Sequence, residues 1–309
     1  MNDVYIISTA ALVSISCALL GCYLILRRMA MVGDAISHAV LPGIVIAFLV
    51  SGARDSVTML IGAGLIGIVT TFLIEFLHKK AKLQTDASIG VTFTWLFAVG
   101  VVLISLFAGK VDLDQDCVLY GEIAYVPLDL WLTDNGIIMG PRALYIVGTI
   151  LLLILIFIIS GFKELFITTF DPAYASAIGI STTMWHYLLM GAVSATTVAS
   201  FEQVGAILVV ALMIAPAATA YLITDNFKLM LIISSAIGVV CSVTGYYLAV
   251  LVDSSIAGAI ATMAGVFFAL AFVFSPTHGI LFKKVKSTFE NDGRIKDGQS
   301  TKELGHQGI

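Results

Sequence analysis

Nine predominantly apolar stretches recur along the chain, at about residues 4–26, 31–51, 57–77, 87–108, 143–161, 183–200, 204–224, 228–251 and 256–274. Each is near the length of helix that crosses a hydrocarbon core about 30 Å thick. Inside a bilayer the backbone must satisfy its own hydrogen bonds, and a helix does so within a single stretch. The pattern predicts an all-α, polytopic transmembrane helix bundle. Composition agrees: 59% of the 309 residues are hydrophobic and 12% charged, about half the charge fraction of a soluble domain. Polar turns such as Arg54-Asp55-Ser56, Thr224-Asp225-Asn226 and Asp253-Ser254-Ser255 punctuate the runs. The sixth and seventh runs are separated only by Phe201-Glu202-Gln203, and an eight-span reading fuses them.

Lysine and arginine set the expected orientation. With the N-terminus outside, the inner side receives Arg27, Arg28, Lys79, Lys80, Lys82, Lys163, Lys228, Lys283, Lys284 and Lys286, while the outer side receives Arg54, Lys110 and Arg142. The sequence therefore reads as N-out and C-in. Met1-Asn2-Asp3 is not a basic leader and the first run is long enough to span, so no cleavable signal peptide is expected.

The stretch GDAISHAVLPG, residues 33–43, lies inside the second run. Asp34 and His38 are four apart, so a helix puts them on one face a turn apart. Ionisable groups at membrane depth are expensive and usually face a bundle interior or an aqueous cavity. A carboxylate and an imidazole on one face can ligate a divalent metal. They can equally form a hydrogen-bonded pair that ties two helices together. Pro42 and Gly43 suggest a kink or break beside the pair.

Two connections are long. Residues 109–142 carry Asp112, Asp114, Asp116, Glu122, Asp129 and Asp134 against Lys110 and Arg142. Such a cluster raises the local cation concentration at an entrance, or is an ordinary solvated loop. Glu202, between two runs, lines an outer gate or is simply solvated. Residues 162–182 contain Asp171-Pro172, an N-cap followed by a first-turn proline. Ala173, Ala175, Ser176 and Ala177 then suit a short helix, which Gly179 ends. A short small-residue helix can dock in a groove of a partner protein or lie at the interface. The transmembrane domain is thus 1–282, and the polar residues 283–309 read as a flexible cytoplasmic tail.

Several familiar patterns carry no chemistry here. Gly62-Ala63-Gly64-Leu65-Ile66-Gly67 lies mid-run, where small residues serve close helix packing. No GxxxxGK[ST] or HExxH occurs, so the chain has neither its own P-loop nor the commonest metalloprotease signal. Cys17, Cys22, Cys117 and Cys241 form no CxxC and read as packing residues. Glu75 and Lys79 suit an i, i+4 ion pair. His78, His186 and His278 have no second ligand at metal spacing.

From about residue 8 to 282 the chain resembles the membrane permease subunits of bacterial ABC importers for manganese, zinc and iron, the ABC-3 type. The resemblance rests on residues 33–43, on Asp86-Ala87-Ser88-Ile89-Gly90, on Leu119-Tyr120-Gly121-Glu122, on Phe170-Asp171-Pro172-Ala173-Tyr174-Ala175 and on Val204 through Ala220, in that order. It implies a type II ABC importer-like permease in the bacterial cytoplasmic membrane. It also implies a second permease copy or paralogue, cytoplasmic ABC ATPases, and an external metal-binding lipoprotein or periplasmic protein. Neither catalysis by this chain, a permanently bound cofactor nor nucleic acid is implied. The family's path residues map to Asp34 and His38, and its ATPase-coupling segment to Phe170 and Asp171 through Gly179. Two Asp–His pairs about a two-fold axis would give a nitrogen/oxygen ligand set that suits manganese, iron or zinc and disfavours monovalent copper. A proton-coupled secondary metal transporter and an ABC permease for a metal chelate are the competing readings.

Overall fold

The computed structural model describes residues 2–51, 56–107, 123–132 and 138–275. Asp112, Asp114, Asp116, Glu122, Cys117, His278 and the 283–309 tail lie outside them. The chain runs α1 (Asn2–Leu26), α2 (Val32–Ala39), α3 (Leu41–Ser51), α4 (Ser56–Lys80) and α5 (Thr85–Phe107). A 3-10 turn (Ile123–Leu128) and the strands β1 (Leu130–Leu132) and β2 (Ile138–Pro141) follow. Then come α6 (Arg142–Ser160), α7 (Phe162–Phe170), α8 (Pro172–Ala177), α9 (Thr182–Val204), α10 (Ala206–Ile223), α11 (Phe227–Val252) and α12 (Ile256–Phe274).

Among the described residues, eight helical segments are long and apolar enough to cross a membrane, with α2 and α3 counted together as one broken span. The additional long helix, α9, is less apolar because Thr182, Thr183, Ser194, Thr196, Thr197 and Ser200 lie in it. Its second half is mostly buried, from Leu189 to Val204. There its hydroxyls are shielded by neighbouring helices, and Thr196 satisfies itself on the Ala192 carbonyl at 2.7 Å. Eight segments are counted because α9 is more polar, and not because the sixth and seventh runs fuse, since α9 and α10 are separate helices.

The α9–α10 boundary differs from the sequence expectation. Phe201, Glu202 and Gln203 are helical, and the break falls at Gly205, whose φ of +85° only glycine adopts without strain. A single residue therefore separates the two helices. The sequence places the break on polarity, whereas backbone freedom sets it. The 109–142 connection also holds more order than a plain loop. β1 and β2 pair antiparallel, with Leu130 opposite Pro141 and Leu132 opposite Ile138, the one small departure from an all-α chain among the described residues. Residues 162–170, expected as connection, form a second helix before the Asp171 cap.

Packing divides the helices into two groups. α1 is central to the larger one, against α6, α9, α10 and α11, with α12 on α10 and α11. The smaller group is α2 to α5. α9 packs on α4 and α2 and joins the groups. Lipid tails are as apolar as leucine, so these contacts depend on shape and close approach more than on excluding water. A Cβ at Gly62 would lie 2.6 Å from both the Ala47 Cβ and the Gly43 carbonyl oxygen, so α3 and α4 meet backbone to backbone. That accounts for the glycine-rich letters at Gly62. Cys17, Cys22 and Cys241 are buried and unpaired, as packing residues should be.

Candidate functional site

α2 is two turns long and almost wholly buried: Val32, Gly33, Ala35, Ile36, Ser37 and Ala39 all pack inward. Asp34 and His38 are the exceptions, with side chains 30% and 40% exposed. Gly33 seats the helix against Met213 of α10, where any Cβ would collide with the thioether. The face that carries Asp34 and His38 is left partly exposed. His38 Nε2 lies 3.5 Å from Asp34 Oδ1. The imidazole is bordered by Phe93 and Phe97 of α5, at ring-centroid distances of 6.0 and 6.3 Å. A narrow crevice beside it is lined by Ser37, Leu41, Phe97 and Phe201.

Asp34 occupies the first turn of α2, where the partial positive charge of a helix start favours a carboxylate. The break that follows falls at Val40, two residues before Pro42 and beside the proline where the sequence expects it. Among the described residues no group of three or more His, Cys, Asp or Glu side chains converges. One chain therefore offers two side-chain donors, one nitrogen and one oxygen group, on a surface that remains open.

The other singled-out residues are spread along the molecule. Glu202 is exposed in the last turn of α9, at the opposite end of that helix from His186. Asp171 caps α8, accepting from the Tyr174 amide at 2.9 Å, with Pro172 in the first turn and Gly179 at φ +86° just past the end. Pro172, Ala173, Tyr174, Ser176 and Ala177 are exposed, whereas Ala175 is fully buried. α7 holds this segment to the bundle: Phe162, Phe166 and Phe170, spaced one turn apart, all pack on Phe227 at the start of α11. Phe227 in turn meets Tyr23 of α1, centroid to centroid at 5.0 Å.

A polar cluster that sequence spacing does not reveal ties the same end together. Arg27, just past α1, donates to Thr168 and Thr169 of α7, each at 3.1 Å, and reaches His186 Nδ1 of α9 at 3.4 Å. Burial pushes the Arg27 guanidinium below its ordinary pKa. His186 Nε2 lies 2.8 Å from Glu75 Oε2 of α4, and Lys79 pairs with the other Glu75 oxygen, as expected from their spacing. His186 is thus held between an acid and an arginine.

Residues 4–275 match the family model described as the ABC 3 transport family. The chain is 48% identical to the manganese transport system membrane protein MntD of Bacillus subtilis (strain 168), over 92% of this chain and 96% of that protein. It is 45% identical to the zinc transport system membrane protein TroD of Treponema pallidum (strain Nichols), over 89% of this chain and 75% of that one. Among solved structures, PsaBC from Streptococcus pneumoniae in complex with Fab is similar, with a TM-score of 0.73 and 33% identity over 90% of this chain and 94% of that chain.

Proposed function

This chain belongs to the ABC 3 transport family, and we infer that it is the permease subunit of an ATP-driven importer of a divalent transition metal: manganese, zinc or iron. The observation that carries the metal reading is the Asp34–His38 pair, the two open positions on an otherwise buried α2. A carboxylate and a neutral imidazole make a hard-to-borderline donor set for such ions. Two donors alone hold an ion loosely, which suits a cargo that must leave again. A second permease copy or a paralogue facing this surface would complete the coordination.

The remaining roles follow from the same reading. ATP hydrolysis belongs to a separate cytoplasmic ABC ATPase, docked on the exposed face of α8. A metal-binding lipoprotein or periplasmic protein delivers cargo from outside. The chain sits in the bacterial cytoplasmic membrane with its N-terminus outside, on the lysine–arginine bias. That orientation puts Glu202 at the outer end, where it joins Asp112, Asp114, Asp116 and Glu122 as candidate entrance residues.

Reconstituted permease with its ATPase, offered Mn²⁺, Zn²⁺ and Fe²⁺ in competition, tests the reading. ATP-dependent accumulation of one of them is expected. Uptake that persists without the ATPase and collapses with an uncoupler would instead identify a proton-coupled carrier. Transport of a metal chelate but not the bare ion would identify the other alternative.

A further inference from the structure

At the end of the bundle that carries α7 and α8, a cleft of about 360 Å³ opens among the ends of α1, α4 and α7 and the start of α9. About 10–15 Å³ suffices for one water. Its walls include Arg27, Arg28, Lys79, His186, Thr182 and Thr183. Among the described residues Glu75 is its sole carboxylate, and both Glu75 oxygens are already engaged, one by Lys79 and one by His186.

The charges therefore do not balance. Arg27 and Arg28 have no carboxylate partner among the described residues. Arg27 is half-buried, and its contacts are two hydroxyls and an imidazole nitrogen, none of them a carboxylate. A guanidinium has five N–H donors, and these three contacts leave some unspent. Cations held partly away from water call for an anion. The first turn of α9 adds a helix start, with the Thr182 and Thr183 hydroxyls beside it and the Ser181 side chain already capping the Met184 amide.

We propose that this cleft is an oxyanion site that takes the phosphate of an anionic phospholipid headgroup. Arginine forks, a lysine and threonine hydroxyls match phosphate oxygens in geometry and charge. The location favours a lipid as the source of that phosphate. Lys79 stands in the last turn of α4, a segment long and apolar enough to cross the membrane. Trp185 and Tyr187 on the neighbouring turn of α9 are residue types enriched at a headgroup interface. Phe72 and Phe76, stacked and half-exposed on α4, offer an apolar wall for an acyl chain. A bound headgroup would bridge α1, α4 and α9 at the place where Arg27 holds α7. It would thereby brace the junction between the bundle and the α7–α8 segment. Basic pockets between membrane helices are suited to such lipids.

The test needs neither metal nor ATP, so it stands apart from the transport reading. Full-length permease is purified from vesicles of phosphatidylcholine mixed with phosphatidylglycerol, and retained lipid is counted by mass spectrometry. Wild type should retain phosphatidylglycerol over phosphatidylcholine. Arg28→Gln and Lys79→Gln, which leave the Arg27 contacts with α7 in place, should each weaken retention about fivefold, and the double variant should lose it while still eluting as a monodisperse peak. Equal retention by wild type and the double variant would overturn the proposal. Displacement of the lipid by millimolar inorganic phosphate would also overturn it, marking the site as one for free phosphate. Retention by free permease but not by permease bound to its ATPase would assign the cleft to an acidic partner residue instead.

Discussion

His186 Nε2 approaches Glu75 Oε2 to 2.8 Å, joining the beginning of α9 to the end of α4. The carboxylate is 13% exposed and also holds Lys79. Glu75→Gln preserves its volume and removes the one acid among several cations. The variant should lose about 1–2 kcal/mol of stability, as expected for a shielded polar tie between membrane helices. Thermal unfolding in detergent measures this, and an unchanged midpoint would show the contact to be idle.

Asp34→Asn and His38→Ala act at open positions, so little packing is lost. Each should lower metal uptake about tenfold or more, equivalent to roughly 1.4 kcal/mol in the barrier. Membrane abundance and melting should hold. The comparison is made in vesicles with matched permease content; full uptake by both variants would remove these side chains from the path.

On α8 the exposure of neighbouring alanines separates docking from folding. Ala173→Arg changes an exposed position and should strip the ATPase from the purified complex while the permease melts normally. Ala175→Arg forces a long cation into a buried site and should destabilise the permease itself, by more than the roughly 1–3 kcal/mol of simple overpacking. Co-purification and melting curves, run on both variants, distinguish the two. ATPase retention by Ala173→Arg would argue against docking on this face.

The α3–α4 crossing gives a paired test. Gly62→Ala inserts a methyl into the Gly43 carbonyl and Ala47, and should cost about 1–3 kcal/mol. Gly64→Ala, with nothing within 4 Å, should melt at or slightly above wild type. A lack of difference between them would mean that the helices are not in close contact.

Much of this molecule was legible because the membrane restricts the possibilities. Apolar run length found the crossing helices, and the Asp171 cap with Gly179 bounded α8. The i, i+4 rule brought together Asp34 with His38 and Glu75 with Lys79. Long-range contacts followed no such rule. Nothing in the letters joins Arg27 to Thr168, or His186 to Glu75, because those residues lie on separate elements and only the packing of α1, α4, α7 and α9 makes them neighbours. His186 read as solitary for that reason. The break at Gly205 is not legible in the polarity pattern, because backbone freedom determines that boundary. The burial of Ala175 depends on how α8 folds back on α7, which a run of small residues does not encode.

Pro42 stands four positions after His38, and a proline nitrogen bears no hydrogen. The His38 carbonyl therefore lacks the amide that a continuous helix would aim at it. On the proposed path, an ion shedding hydration water beside the imidazole would meet a main-chain oxygen whose lone pairs are not committed to the i+4 amide. That oxygen is of a kind harder than the imidazole nitrogen; no side-chain substitution deletes it, and only replacing Pro42 would supply the amide that occupies it.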